Sequence, residues 1–121
     1  MKIRISCRGM EAVAELFHTQ TAKAIYEALP IEGSANRWGD EIYFVIPVYL
    51  EEEQDATEVV SEGDVAYWPD GPCFCIFWGR TPASKGNEIR AASKVNVFGK
   101  IKDVKIFSKV DSGDLIVLEK G

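Results

Sequence analysis

Histidine is nearly missing from this chain, and its scarcity removes whole classes of chemistry. His18 is the only one in 121 residues, so a metal site built on paired histidines is excluded. A Ser/His/Asp or Cys/His catalytic arrangement has that one candidate, which has no acidic neighbour and sits where a strand gives way to a helix. It reads as a surface or capping residue. Cysteine is scarce too: Cys7, Cys73 and Cys75 are the three present. Cys73 and Cys75, two apart on a strand, share a face with Cβ atoms roughly 7 Å apart, beyond the reach of a disulfide. They are expected to be buried free thiols acting as small hydrophobes, and no metal or other cofactor is expected. No apolar run approaches the ~20 residues a membrane-spanning helix needs. Met1 to Arg8 alternates charged and apolar residues and holds no signal-peptide core. A cytoplasmic protein without a membrane partner is expected. Positive charge is also in deficit, with 14 basic against 19 acidic side chains and a net charge of −5. Nucleic acid is therefore not an expected partner, because its phosphates demand neutralisation.

What is present reads as a single domain over residues 1–121, with no repeat and no linker. A chain of this size buries roughly two-thirds of its unfolded surface without staples. Charge is segregated along it. Asp40 to Asp70 contains acids alone, whereas Gly79 to Val110 carries eight bases against Glu88 and Asp103. Two solvated, mutually attracting faces explain this, and so does a positive rim around an anion-accepting cleft.

The most informative stretch runs from Gly63 to Ser84. Two apolar runs, Val65–Trp68 and Cys73–Trp78, flank Pro69-Asp70-Gly71-Pro72, whose residue types each favour a turn. Val, Ile, Phe, Tyr and Trp predict an antiparallel hairpin. The second run is apolar throughout, so both its faces are expected to be covered. Elsewhere Ile3, Ile5 and Cys7 alternate with polar residues, and a second strand is expected over Ala12–Phe17. Thr19 can cap a helix carrying Ala22, Ile25 and Leu29 on one face, ended by Pro30, with a stripe suited to a lid. Ile42, Phe44, Ile46 and Val48 point one way, Glu41, Tyr43 and Val45 the other. Val95, Val97 and Ile101 make a strand whose Gly99 suggests a bulge, Ile106–Val110 a short helical turn, and Leu115–Leu118 a closing strand. A mainly β fold results: a small closed barrel of seven or eight strands with one or two short helices.

Several motifs occur in one order over nearly the whole chain. They are Leu29-Pro30, Trp38 to Phe44, Gly63 to Pro69, Phe77 to Pro82 and Val95 to Ile101. In these the chain resembles a family of small prokaryotic cyclophilin-like proteins of uncharacterised function. The resemblance implies the cyclophilin-like fold, a closed β-barrel with a helix over an open end. True cyclophilins are prolyl isomerases that use an arginine, a glutamine and an aromatic pocket. Here the glutamines are Gln20 and Gln54 alone, and no arginine matches the catalytic one by motif. The resemblance thus implies a fold and not an activity.

The residues that remain as site candidates are aromatic and cationic. Tyr43, Tyr67, Trp68, Phe77 and Trp78 lie near the loop ends of strands, where small barrels hold ligands. Tyr67 and Trp78 are expected to share one cleft with Arg80 and Thr81, on the loop after the hairpin, with Arg90 at its polar edge and Glu41 and Tyr43 nearby. Such a cleft suits a peptide segment or a small organic anion. A ligand- or peptide-binding module is the leading reading. A weak prolyl isomerase, with Arg80 or Arg90 donating to the proline amide, is the second, and a homo-oligomeric interaction protein the third. Subunit number is left open by the sequence.

Overall fold

The computed structural model describes residues 1–121. Ten strands follow in chain order: β1 (Lys2–Cys7), β2 (Met10–Leu16), β3 (Ile31–Ser34), β4 (Asn36–Arg37), β5 (Glu41–Val45), β6 (Thr57–Val60), β7 (Asp64–Trp68), β8 (Cys73–Phe77), β9 (Ile89–Ile101) and β10 (Leu115–Lys120). Helix α1 spans Gln20–Glu27, and a 3-10 turn spans Val104–Lys109. The strands form one antiparallel path, β3-β10-β1-β2-β9-β7-β8-β5-β4, with β6 attached to β9. No hydrogen-bonded ladder joins β3 to β4, so closure of the barrel by pairing is not what the sheet shows. The two terminal strands are instead consecutive in the chain. Ala35 lies between them, 1% exposed, its amide bonded to the Asp114 carbonyl and its carbonyl to the Gly113 amide. A mainly β fold with little helix is the outcome.

The expected hairpin is present, with Tyr67 opposite Phe74 and Trp68 opposite Cys73. The Gly71 amide donates to the Trp68 carbonyl across the turn at 3.1 Å. Its register puts Val65 and Tyr67 on the same face as Phe74 and Ile76, and all four lie in the main core. That core gathers 27 buried residues inside the curved sheet. Helix α1 covers part of it, with Ala22 and Ile25 wholly buried, and Thr19 accepts from the Ala22 amide as the cap. Gly99 marks a real irregularity: Val65 pairs with Gly99 but Ala66 with Val97. A Cβ at Gly99 would lie 2.7 Å from the Glu15 carbonyl oxygen, so close backbone approach requires glycine.

β8 is covered on both faces, as its unbroken apolar run implies. Phe74 and Ile76 enter the main core, whereas Cys73, Cys75 and Phe77 join a second cluster of seven residues with Val60, Ala66, Ala91 and Val95. This second layer exists because β9, beyond its pairing with β2, divides its length between β7 and β6. Residues 96–100 pair with β7, whereas Val95, Arg90 and Ile89 pair with β6. The first half of β9 and β6 thus fold as an arm over the outer face of β7 and β8.

The segregated charges meet across these elements. Arg90 pairs with Glu58, Lys100 with Asp64 and Lys105 with Glu62, linking the basic to the acidic half. No helix is long and apolar enough to cross a membrane. All three cysteines are free and buried. Burial pushes the Cys73 thiol up to about 11 and Cys75 well above its ordinary value, so thiolate is scarce at neutral pH. In the native protein a polar thiol reagent should label none of the three at an appreciable rate, and all three on unfolding. Fast stoichiometric native labelling followed by mass spectrometry would contradict this packing.

Candidate functional site

A cavity of about 270 Å³ opens in the second layer, on the face of the sheet away from the main core. Its floor is Glu41 and Tyr43 of β5 with Cys75 of β8, and Trp68 of β7 forms one wall. Trp38, from the turn between β4 and β5, forms another, and Ala91, Ala92 and Val95 of the β9 arm close the remaining side. The space follows from the side chains. Two alanines on the arm face large rings on the sheet and leave the gap between them unfilled. Tyr43 and Trp68 meet edge to face at 6.2 Å. The Trp68 indole N–H donates to Ser93 at 2.6 Å, and Ser93 donates to Asp70, which fixes the ring against β9.

Glu41 is the one charged residue of this lining. It is 4% exposed and takes part in no ion pair. The Cys75 thiol beside its carboxyl is a weak donor, and that thiol's hydrogen bond goes to the Cys73 carbonyl. Burial without a cationic partner pushes this carboxyl up to about 8, so it is largely protonated at neutral pH. Strand alternation places it there: Glu41, Tyr43 and Cys75 share a face, and β5 pairs Glu41 with Phe77 and Tyr43 with Cys75.

The loop after β8 holds the mouth of this cavity in place. The Asp40 amide donates to the Arg80 carbonyl at 2.8 Å, and the Trp78 amide to the Asp40 carbonyl at 3.0 Å. Gly39 has φ +64°, and a Cβ there would lie 2.8 Å from the Arg80 carbonyl, so the Trp38 turn docks directly on the loop. Thr81, 5% exposed, donates its hydroxyl to the Arg90 carbonyl and so ties the loop to the base of the β9 arm.

Of the residues expected to share one cleft, Glu41 and Tyr43 line the cavity, and Tyr67, Trp78, Arg80, Thr81 and Arg90 do not. Tyr67 is wholly buried in the main core, its hydroxyl donating to Val48 and accepting from Leu50. Trp78 is 5% exposed beneath the Arg37 guanidinium, 4.9 Å from its ring. Arg80 is exposed and donates to the Ser84 carbonyl. Arg90 is held by Glu88 and Glu58, with Glu58 at 2.7 Å. Tyr67 and its neighbour Trp68 point to opposite sides of the strand, so Tyr67 lies in the main core and Trp68 on the cavity face. Sequence reasoning missed Trp38, Cys75, Ala91, Ala92 and Val95 as lining residues. The available signal was an acid, Glu41, at the start of an otherwise apolar strand and in phase with Tyr43.

Comparison with known proteins agrees with this architecture. A family model described as cyclophilin-like matches residues 1–119. The solution structure of a hypothetical protein from Archaeoglobus fulgidus superimposes with a TM-score of 0.85. It is 43% identical, and the match covers 100% of this chain and 95% of that one. No curated protein matches.

Proposed function

This chain belongs to the cyclophilin-like family, and from that premise we propose that it is a ligand-binding module whose site is the Glu41 cavity. One observation carries the reading: a carboxyl 4% exposed, without an ionic partner, faces a cavity walled by Trp38, Tyr43 and Trp68. Burying an unpaired acid is unfavourable, and a core built for stability alone would hold an apolar residue there. Apolar walls with one placed polar group are the ordinary composition of a small-molecule site. Arg80 and Arg90, the donors of an isomerase or anion site, lie outside this lining. Both belong to the segment that frames the cavity through Thr81 and Asp40.

A screen of small apolar fragments by amide NMR tests the reading. Fragments should shift resonances of Tyr43, Trp68, Ala91 and Ala92, and Ala92→Trp, which fills the mouth from an exposed position, should abolish those shifts while leaving the fold intact. Shifts confined to Arg80–Arg90, or none in any part of the chain, would overturn it. Catalytic amounts of the protein should leave the cis/trans exchange of a proline peptide unchanged, since no arginine reaches this cavity.

A further inference from the structure

Resting on the binding reading above, we infer that the cavity takes a small organic ammonium ion, its apolar body against the aromatic walls and its charged head on the Glu41 carboxylate. Four observations point to a cation and away from an anion or a neutral acceptor. The lining holds no lysine, arginine or histidine, so a bound anion would meet no opposite charge, and Glu41 is its only carboxyl. The carboxyl lacks both an arginine or lysine partner and a strong N–H donor, and an ammonium group supplies both. Trp38, Tyr43 and Trp68 line the same space, and aromatic rings attract a cation on their faces. Trp68 has already engaged its indole N–H with Ser93, so its donor is not available to a ligand anion.

Size restricts the class further. A cavity of about 270 Å³ sits at the lower limit of ordinary ligand sites, which suits a compact amine. The proton balance is simple. Glu41, protonated when the site is empty, gives its proton to the solvent as the ammonium ion binds, leaving a carboxylate–ammonium pair. The groups facing it are the Cys73 and Cys75 thiols of β8 and the Tyr43 phenol of β5; Trp68 and the alanines of the arm carry no charge. Both thiols stay neutral at the pH concerned, with Cys73 at about 11. Affinity should therefore rise about tenfold per pH unit up to about 8 and level above it, while the amine remains protonated.

Isothermal titration of the intact protein above pH 8 with cyclohexylammonium, cyclohexanol and cyclohexanecarboxylate decides the matter. The ammonium should bind about tenfold or more tighter than the alcohol, the worth of one hydrogen bond to a charged group, and the carboxylate should not bind. Titration at neutral pH in two buffers of different ionisation enthalpy should report proton release with the ammonium alone. Glu41→Gln should remove the preference and the proton release, so that the ammonium binds no more tightly than the alcohol and at a pH-independent affinity. Equal binding of alcohol and ammonium overturns the inference and preserves the cavity as a site. Tightest binding of the carboxylate also overturns it, making Glu41 a neutral donor. If none of the three binds, the site reading falls and the inference with it. N-acetyl-lysine methylamide distinguishes the source: binding tighter than cyclohexylammonium identifies the ammonium ion as a peptide side chain, and weaker binding as a free amine.

Discussion

Glu41→Gln should leave the protein as stable as the natural chain below about pH 4.5 and make it more stable by on the order of 4 kcal/mol at pH 8. The sign follows from the proton count. In the unfolded chain Glu41 ionises near 4.5, whereas in the fold burial holds its proton up to about 8. Between those values the native state binds the extra proton, so rising pH favours unfolding. Glutamine removes the ionisation and keeps the shape. The measurement is the difference in urea unfolding free energy between the two proteins across this window, in which the remaining carboxylates cancel. A flat difference would mean that Glu41 is already ionised in the folded state. For a domain whose total stability is about 5–15 kcal/mol, a buried acid without an ionic partner is a large destabilising term.

Phe74→Ala is the other large effect, and it reports on the main core. Phe74 is wholly buried, stacked on Phe44 at 5.2 Å and edge-on to Phe98 at 5.4 Å. It lies at the centre of three strands, β5, β8 and β7, where neighbours on both sides are fixed by ladders. The void left by its ring can collapse little, so a loss of about 3–5 kcal/mol is expected. The urea midpoint should fall with the slope unchanged. A loss below about 1 kcal/mol would show that the rings of Phe44 and Phe98 close the gap.

Local signals made much of this fold legible. The Pro-Asp-Gly-Pro turn announced the β7–β8 hairpin, the unbroken run Cys73–Trp78 announced a strand covered twice, and Gly99 announced the bulge in β9. What escaped was short and depended on distant partners. β3 pairs Ile31 with Leu118, and β6 pairs Val59 with Arg90, while Glu32-Gly33-Ser34 and Thr57-Glu58 carry little strand character of their own. The site was half legible. Alternation put Glu41 and Tyr43 on one face, as in the structure, whereas Tyr67, expected beside them, lies in the main core and Trp68 lines the cavity. A slip of one residue on a strand exchanges the core for the cavity, and only the register with β8 and β9 decides between them.

β9 belongs to two layers, and this makes the protein thermodynamically uneven. The 27-residue core and the seven-residue cluster lie on opposite faces of β7 and β8, and the smaller one, with less buried apolar surface, is expected to open first. The arm of β6 and residues 89–95 is therefore the natural unit of sub-global opening, hinged where β9 passes from β6 to β7 between Val95 and Asn96. Amide hydrogen exchange in that arm should be faster than in β7 and β8. An occupant of the cavity, touching Ala91, Ala92 and Val95 on one side and the sheet on the other, would slow it selectively. Binding would thus be written as a change in local breathing, with the rest of the sheet a fixed reference.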